Sequence, residues 1–483
     1  MKTLIRGGWI VAFDGKSHRL LTDGVLVWEG DRIIAVGKSY DGPVDRIIDA
    51  SGRLVSPGFI NLHFHAGTEA GGRLIADVGR QDFFQTGYLN YHNVGKGKSG
   101  GIDRLETAEV GGKFSLVELM KSGCTTVVEV GGSPQMVEGL VPIAGELGLR
   151  AYLTPGYRSV NTYNDHKGRL YFEWDEAQGF AGLQRAREFI QRYYGTYQDR
   201  IRGMLFPLQV DTCTPELLRA TRDVAQELGV RIQIHVGQNV MEFHNIVRMH
   251  GKTPIEFLAD IGILGPTTIL GHAMVISDHS LSAWPGGQDL QLIADHGCSV
   301  AHCPTVFARR GNLLESLHRY QEAGVNIGLG TDTYPRDLIA EMRMASLLCK
   351  VVERNFLVGT AGDVFNAATL GGARALGRED IGRLAVGAKA DIVIINLQSL
   401  RIGPIWDPIK TLVNCATSEN VEQVIIDGKT VVEGGRVVGV DETALLAQAQ
   451  EAASHIWKSM AGWDWGKRSA QEISPPTFPP WES

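Results

Sequence analysis

Eight short runs rich in β-branched residues alternate with longer amphipathic stretches through the middle of the chain. Repeated alternation of a strand with a helix is typical of a parallel sheet covered by helices. Eight such units over about 300 residues match an enlarged TIM-type (β/α)8 barrel. We therefore predict an α/β fold built on this barrel. The runs occupy residues 58–65, 125–131, 150–155, 202–209, 231–237, 267–272, 298–304 and 326–332.

Both ends of the chain carry a different pattern, with short alternating β runs separated by turns. The later set surrounds the hairpin signal Asp427-Gly428. We predict that the two sets form one small β-sandwich beside the barrel. The predicted units are residues 1–56 and 385–440 for the sandwich, 57–384 for the barrel, and 441–483 for a C-terminal helix and proline-rich arm.

Charge and composition exclude several classes of partner. The chain has 47 Lys and Arg against 54 Asp and Glu, a net charge of −7, which argues against binding nucleic acid or an anionic membrane. The sequence shows neither a membrane span nor a signal peptide. The six cysteines have no CxxC spacing, which is typical of reduced thiols. We expect a cytoplasmic protein that acts on a small molecule.

Residues that bind metals stand at the ends of the predicted strands. His63 and His65 end the first run, and both imidazoles point to one side because side chains alternate along a strand. His235, His272 and Asp332 end the fifth, sixth and eighth runs, where barrel enzymes build their active sites. A single histidine in a β run is more often structural. Five such residues at equivalent strand ends favour a catalytic metal with an open position for water.

The chain resembles the amidohydrolase superfamily in five segments: PGFINLHFHAG, IQIHVGQ, ILGHA, GLGTD and GRLAVGAKADIVII. The resemblance spans nearly the whole chain. It is strongest to the branch that contains cytosine deaminase, guanine deaminase and the triazine hydrolases. The resemblance implies a hydrolase with one divalent ion, because binuclear relatives use a lysine on the fourth strand and residues 202–209 contain none. Zn is the first choice, and Fe, Co and Mn suit the same ligands.

The resemblance also assigns roles. His63, His65, His235 and Asp332 are the expected metal ligands. Asp332 is in addition expected to take a proton from the attacking water and pass it to the leaving group. His272 is expected to orient that water and stabilise the developing oxyanion.

Gln238 departs from the pattern of the deaminases. They carry a glutamate at this position, three residues after the fifth-strand histidine, and it protonates a ring nitrogen of the substrate. An amide donates a hydrogen bond but does not shuttle a proton. We therefore expect Gln238 to contact substrate in the cleavage of a small amide, urea, carbamate or thiocarbamate, as in the phenylurea and molinate hydrolases. The alternative is that Glu242 supplies the missing acid.

Other substrate contacts are expected from loops at the same end of the barrel. The resemblance implies that His302, in the seventh run, contacts substrate, because relatives use this position for that purpose. The long glycine-rich connection 66–114 is a candidate lid whose aromatic residues either wrap a substrate or pack within the loop. We expect either that Arg309 or Arg310 faces substrate or that both lie on a solvated surface. The expected lid contacts are Phe84, Tyr88 and His92.

Two other functions stay open. One is deamination or dealkylamination of a heteroaromatic ring of the triazine, pyrimidine or purine type. The other is an inactive amidohydrolase-like scaffold. The presence of all five site residues argues against this alternative. The terminal segment ISPPTFPPWES, with Phe478 and Trp481, suggests an arm that clasps a second subunit, so we expect a homo-oligomer.

Overall fold

The computed structural model describes residues 1–68, 72–73, 76–80, 86–87, 94–98 and 105–481. Its N-terminal strands belong to two sheets. They are β1 Lys2–Arg6, β2 Trp9–Phe13, β3 His18–Thr22, β4 Val25–Glu29, β5 Arg32–Gly37, β6 Arg46–Asp49 and β7 Arg53–Pro57. One sheet has the order β5-β4-β1-β6, and glycine turns allow the chain to fold back between its strands.

Eight parallel strands in the described part of the chain then form the barrel, one for each predicted run. They are β8 Phe59–Phe64, β11 Cys124–Glu129, β12 Arg150–Tyr152, β16 Ile201–Arg202, β18 Ile232–Val236, β19 Thr268–His272, β20 Ser299–His302 and β21 Asn326–Leu329. The remaining strands of this region are β9 Gly79–Arg80, β10 Thr86–Gly87, β13 Gly156–Tyr157, β14 Val160–Asn164, β15 Leu170–Trp174 and β17 Phe206–Pro207.

The barrel closes through three backbone bridges. Its strands pair in two groups, β16-β12-β11-β8 and β18-β19-β20-β21. Parallel bridges from Leu205 to Ile232 and from Gln209 to His235 join the groups, and a bridge from Phe64 to Asp332 closes the ring. The predicted barrel is confirmed. The fourth run is divided between two short strands, β16 and β17.

The chain returns to the terminal sheets through β22 Ile392–Asn396, β23 Val421–Ile426, β24 Lys429–Glu433 and β25 Arg436–Val437. Strand β22 lies antiparallel to β7, so both chain ends share one sheet of order β25-β24-β23-β22-β7-β2-β3. Ile5 and Leu26 of the first sheet and Val55, Ile392 and Ile394 of the second form a buried cluster. The predicted sandwich from both chain ends is therefore present.

Helices surround the barrel, and several begin at a polar residue that caps the first turn. Asp337, for example, accepts from the N–H groups of Ile339 and Ala340. The helices are α1 Leu105–Lys121, α2 Pro134–Glu146, α3 Glu176–Tyr193, α4 Thr196–Asp199, α5 Pro215–Leu228, α6 Val240–His250, α7 Pro254–Asp260, α8 Asp289–Asp295, α9 Pro304–Ala308, α10 Leu317–Glu322, α11 Leu338–Glu353, α12 Ala361–Asn366, α13 Gly372–Ala375, α14 Pro408–Cys415, α15 Glu442–Trp463 and α16 Ala470–Ile473.

A buried ion cluster joins the barrel to the sandwich. Arg150, the first residue of β12, is 0% exposed and donates from Nη2 to Asp391 and Asp427. Lys389 Nζ lies 3.1 Å from Asp427 Oδ1. Because Arg150 begins its strand, the cluster lies at the end of the barrel opposite the carboxyl ends of the strands.

The C-terminal part predicted as helix and arm contains α15, which packs against α1. Beyond α16, Phe478 and Trp481 are exposed, and assembly through this segment stays a prediction. None of the described helices is long and apolar enough to cross a membrane.

Candidate metal centre

The carboxyl ends of the barrel strands bring the five predicted side chains together. The Nε2 atoms of His65 and His235 are 3.3 Å apart. His272 Nε2 is 3.4 Å from Asp332 Oδ2, and His65 Nε2 is 3.8 Å from Asp332 Oδ1. Donor atoms of His63, His65 and His235, and likewise of His63, His272 and Asp332, lie within 4.8 Å of one another.

His63 shows that this cluster fits a metal ion. Its Nδ1 is 2.9 Å from Gln233 Oε1, while Nε2 is buried without a hydrogen-bond partner. His235 is held similarly, with Nδ1 against the Leu208 carbonyl oxygen at 2.5 Å. A tetrahedral ion with nitrogens at about 2.0–2.1 Å separates neighbouring nitrogens by about 3.3–3.4 Å, close to the distance between His65 and His235. The Nε2 atoms of these histidines therefore suit a shared ion.

Burial keeps these histidines neutral, the form that binds metals. It lowers the pKa of His235 to about 3, with a further contribution from His65. It also lowers the pKa of His63 and His272 well below the ordinary value. For His65, burial lowers the pKa and the neighbouring Asp332 carboxylate opposes this effect.

The backbone at two of the five residues is strained. His272 has φ +79° and Asp332 has φ +58°, in the left-handed region that L-residues rarely adopt. Asp332 is fixed there because its N–H donates to the His63 carbonyl and its carbonyl accepts from the His65 N–H, both at 2.9 Å. Gly330 allows this close approach, since a Cβ there would lie 2.7 Å from His63 O.

Arg336 secures the same junction and was not identified from the sequence. This fully buried side chain donates from Nη2 to the His65 carbonyl at 2.5 Å and from Nη1 to the Asp332 carbonyl at 3.2 Å. It thereby ties the end of β8 to the end of β21. Its position in the loop after the last strand gave no periodic signal.

Gln238 follows β18 at the rim of the site and is half-buried. Its backbone N–H donates to Glu242 Oε2 at 3.0 Å, and the Gly237 N–H donates to Oε1 at 2.7 Å. Gln209 Nε2 also donates to Oε2 at 3.0 Å. The Glu242 carboxyl is fully buried, and burial, followed by the nearby Asp211, raises its pKa to about 8. Both Glu242 oxygens thus support the loop that carries Gln238.

His302 ends β20 and is 7% exposed. Burial lowers its pKa to about 4. The predicted lid contacts Phe84, Tyr88 and His92 lie outside the described residues.

Two further polar residues were missed. Gln233 precedes His235 by two positions, so the period of a strand could have indicated that it lies on the same face. Glu129 ends β11 and is fully buried, which raises its pKa to about 8. A carboxyl at the end of an apolar run was the available signal.

The amidohydrolase family model matches residues 54–431. A 5-methylthioadenosine/S-adenosylhomocysteine deaminase of Thermococcus onnurineus is 33% identical over 436 residues, 89% of this chain and 94% of that protein. The structure of a triazine hydrolase from Arthrobacter aurescens has a TM-score of 0.78 at 25% identity, covering 94% of this chain and 99% of that one. An adenosine deaminase from Xanthomonas campestris, solved with bound zinc, shares the fold with a TM-score of 0.78 at 22% identity, covering 94% and 98%.

Proposed function

Because the chain belongs to the amidohydrolase family and is a metal-dependent hydrolase of carbon–nitrogen bonds, we propose that it cleaves a small amide, urea, carbamate or thiocarbamate. The proposal depends on which proton donors the site offers. A urea or amide needs a proton only on its leaving nitrogen, whereas an aminated ring also needs one on a ring nitrogen.

We propose that His63, His65, His235 and Asp332 hold one divalent ion, with Zn preferred for three imidazoles and one carboxylate. Such an ion lowers the pKa of bound water to near neutrality and polarises the scissile carbon. The two carboxylate oxygens of Asp332 have different neighbours. Oδ1 faces His65, and Oδ2 faces His272 at 3.4 Å. We propose that Oδ2 takes the water's proton and passes it to the leaving nitrogen, and its position beside His272 supports this role.

His272 has the chemistry for holding the attacking water. Both its ring nitrogens are buried without hydrogen-bond partners, and the Phe307 ring packs edge-on against it at 4.7 Å between centroids. With its pKa lowered mainly by burial, the neutral ring either donates to a developing oxyanion or accepts from water. The Phe307 contact limits rotation of the ring.

One observation carries the choice of substrate class: the position of a deaminase's acid is occupied by Gln238, and the nearest carboxyl is committed elsewhere. Glu242 accepts from two backbone N–H groups and from Gln209. Turning this carboxyl towards a substrate would leave buried donors without partners, which costs about 1–3 kcal/mol for each group. The site therefore favours substrates whose only proton demand is met by Asp332.

A second function, hydrolytic deamination of an adenosine derivative, is favoured by the similarity to the Thermococcus onnurineus deaminase over 94% of its length. In this case Gln238 would hydrogen-bond the ring and Glu242 would have to supply the proton.

A substrate comparison on zinc-loaded protein tests the choice. We expect amine release from phenylureas, anilides, carbamates or thiocarbamates with kcat/KM at least tenfold above that for ammonia release from 5-methylthioadenosine, S-adenosylhomocysteine or adenosine. The matched variant Gln238→Glu restores a carboxyl at this position and should raise deamination relative to acyl cleavage. Faster deamination by the wild type would overturn the proposal and favour the second function.

A further inference from the structure

Arg310 lies on a tight turn beside the metal centre. Its backbone N–H donates to the Phe307 carbonyl at 2.8 Å, and the Phe307 ring packs against His272. The preceding Arg309 donates to Thr333, the residue after Asp332, at 2.9 Å. The turn is therefore fixed on one side by His272 and on the other by the loop that carries Asp332.

The two arginines of this turn differ in their contacts. Arg309 is engaged, since its guanidinium bonds Thr333 and stacks over the Tyr334 ring at 4.0 Å. The Arg310 side chain is half-buried and has no hydrogen bond or ion pair in the described structure. The predicted alternatives, facing substrate or solvent, therefore stay open for Arg310.

The charge of Arg310 interacts with the Asp332 carboxylate. Burial lowers the pKa of Arg310, and attraction by the Asp332 carboxylate opposes this effect. The interaction with Asp332 agrees with the position of the turn, which lies between His272 and the loop that carries Asp332.

A partly desolvated guanidinium without a partner is costly, and its fork of donors matches a carboxylate or phosphate. Asp332 is the anionic member of the cluster, and a divalent ion would more than neutralise its single charge. The ion and Asp332 together would carry one positive charge, which a bound hydroxide would cancel, so Arg310 would remain the unpaired positive charge at the site. A neutral substrate leaves this charge unpaired, while an anionic substrate compensates it.

We propose that Arg310 binds an anionic group, a carboxylate or a phosphate, that the substrate carries beside the bond to be cleaved. The inference rests on the proposed function for the cleaved bond and adds the substrate's charge. An N-acyl or N-carbamoyl compound with an acidic group has this chemistry. Arg310 is thus a specificity determinant, and the metal ligands and Asp332 carry the bond cleavage.

Matched substrates test the proposal in zinc-loaded protein. N-Acetyl-, N-benzoyl- and N-carbamoylglycine carry a carboxylate, and the corresponding glycinamides are neutral. We expect the wild type to prefer the acids and Arg310→Met to reduce that preference about tenfold to hundredfold, mainly through KM, because a charge-assisted contact is lost. Arg310→Lys should keep part of the preference. Equal losses on acids and amides in Arg310→Met would overturn the proposal.

Anion binding to zinc-loaded protein provides a readout that needs no turnover. At constant ionic strength, inorganic phosphate or benzoate should raise the melting temperature of the wild type but not of Arg310→Met, and the stronger of the two identifies the preferred anion. The matched variant Arg309→Met should lower the melting temperature and keep the anion-dependent rise. An Arg310-dependent rise without hydrolysis of any acyl substrate would overturn the proposed function alone. A rise that persists in Arg310→Met, or no rise in the wild type, would overturn the anion site.

Discussion

Arg150 and Asp427 meet where the barrel joins the sandwich, with Nη2 and Oδ1 2.7 Å apart and the two side chains 0% and 6% exposed. Burial alone would lower the pKa of Arg150. The attraction by the carboxylates of Asp391 and Asp427 outweighs this effect of burial and raises the pKa of Arg150. This pair connects residues 277 positions apart. It therefore stabilises the junction through contacts that neither unit makes alone.

Replacing Arg150 with Met should destabilise the protein strongly. Two buried carboxylates would lose their main partner, and breaking a buried ion pair on one side costs about 3–5 kcal/mol. Urea unfolding measures the change in free energy. The control Arg187→Met removes a partly exposed pair with Glu227 and should cost at most about 1 kcal/mol. Similar losses in both variants would contradict this view of the junction.

Gln233→Leu should weaken metal binding while preserving the fold. The variant removes the acceptor that turns His63 Nε2 towards the other donors, and supporting residues of this kind are worth about 10–100-fold in metal affinity. Competition with a chelator measures the zinc dissociation constant. Unchanged affinity would show that packing alone orients His63.

His18 should make stability depend on pH. Burial, with a smaller effect from Arg383, lowers its pKa to about 4, below the ordinary value of 6.5 for a histidine in an unfolded chain. The unfolded chain therefore binds a proton first, and the folded state loses stability as the pH falls from about 6.5 towards 4. His18→Gln removes this contribution, which reaches roughly 1.4 kcal/mol per pH unit. Urea unfolding of metal-free protein at pH 7, 5.5 and 4.5 should show a shallower decline in the variant.

The variant Glu242→Gln distinguishes two roles of Glu242, which either supports the loop that carries Gln238 or acts as the catalytic acid. An amide offers one acceptor oxygen in place of two, so one buried N–H would lose its partner at a cost of about 1–3 kcal/mol. We expect lower stability and a higher KM for acyl substrates, with the pH profile of kcat unchanged. A variant that keeps its stability but loses kcat at least a hundredfold would instead identify Glu242 as the acid.

The barrel and the cluster could be predicted because both follow from short-range rules. Alternation along β8 puts His63 and His65 on one side, and the common direction of the strands brings His235, His272 and Asp332 to the same end. The commitment of Glu242 to backbone groups follows from loop geometry instead. The different contacts of Arg309 and Arg310 depend on where one turn packs, and adjacent identical residues give no sequence signal for that difference.

The left-handed backbone at His272 and Asp332 opposes the stability of the fold to the catalytic function of these two side chains. Glycine adopts this conformation freely, so substitution to glycine at either position would relieve a cost of about 1–3 kcal/mol. A library of this chain selected only for resistance to heat would therefore be drawn towards glycine at these two positions. The selected variants would be more thermostable than the parent protein, but they would lack the side chains proposed to orient the water and transfer its proton.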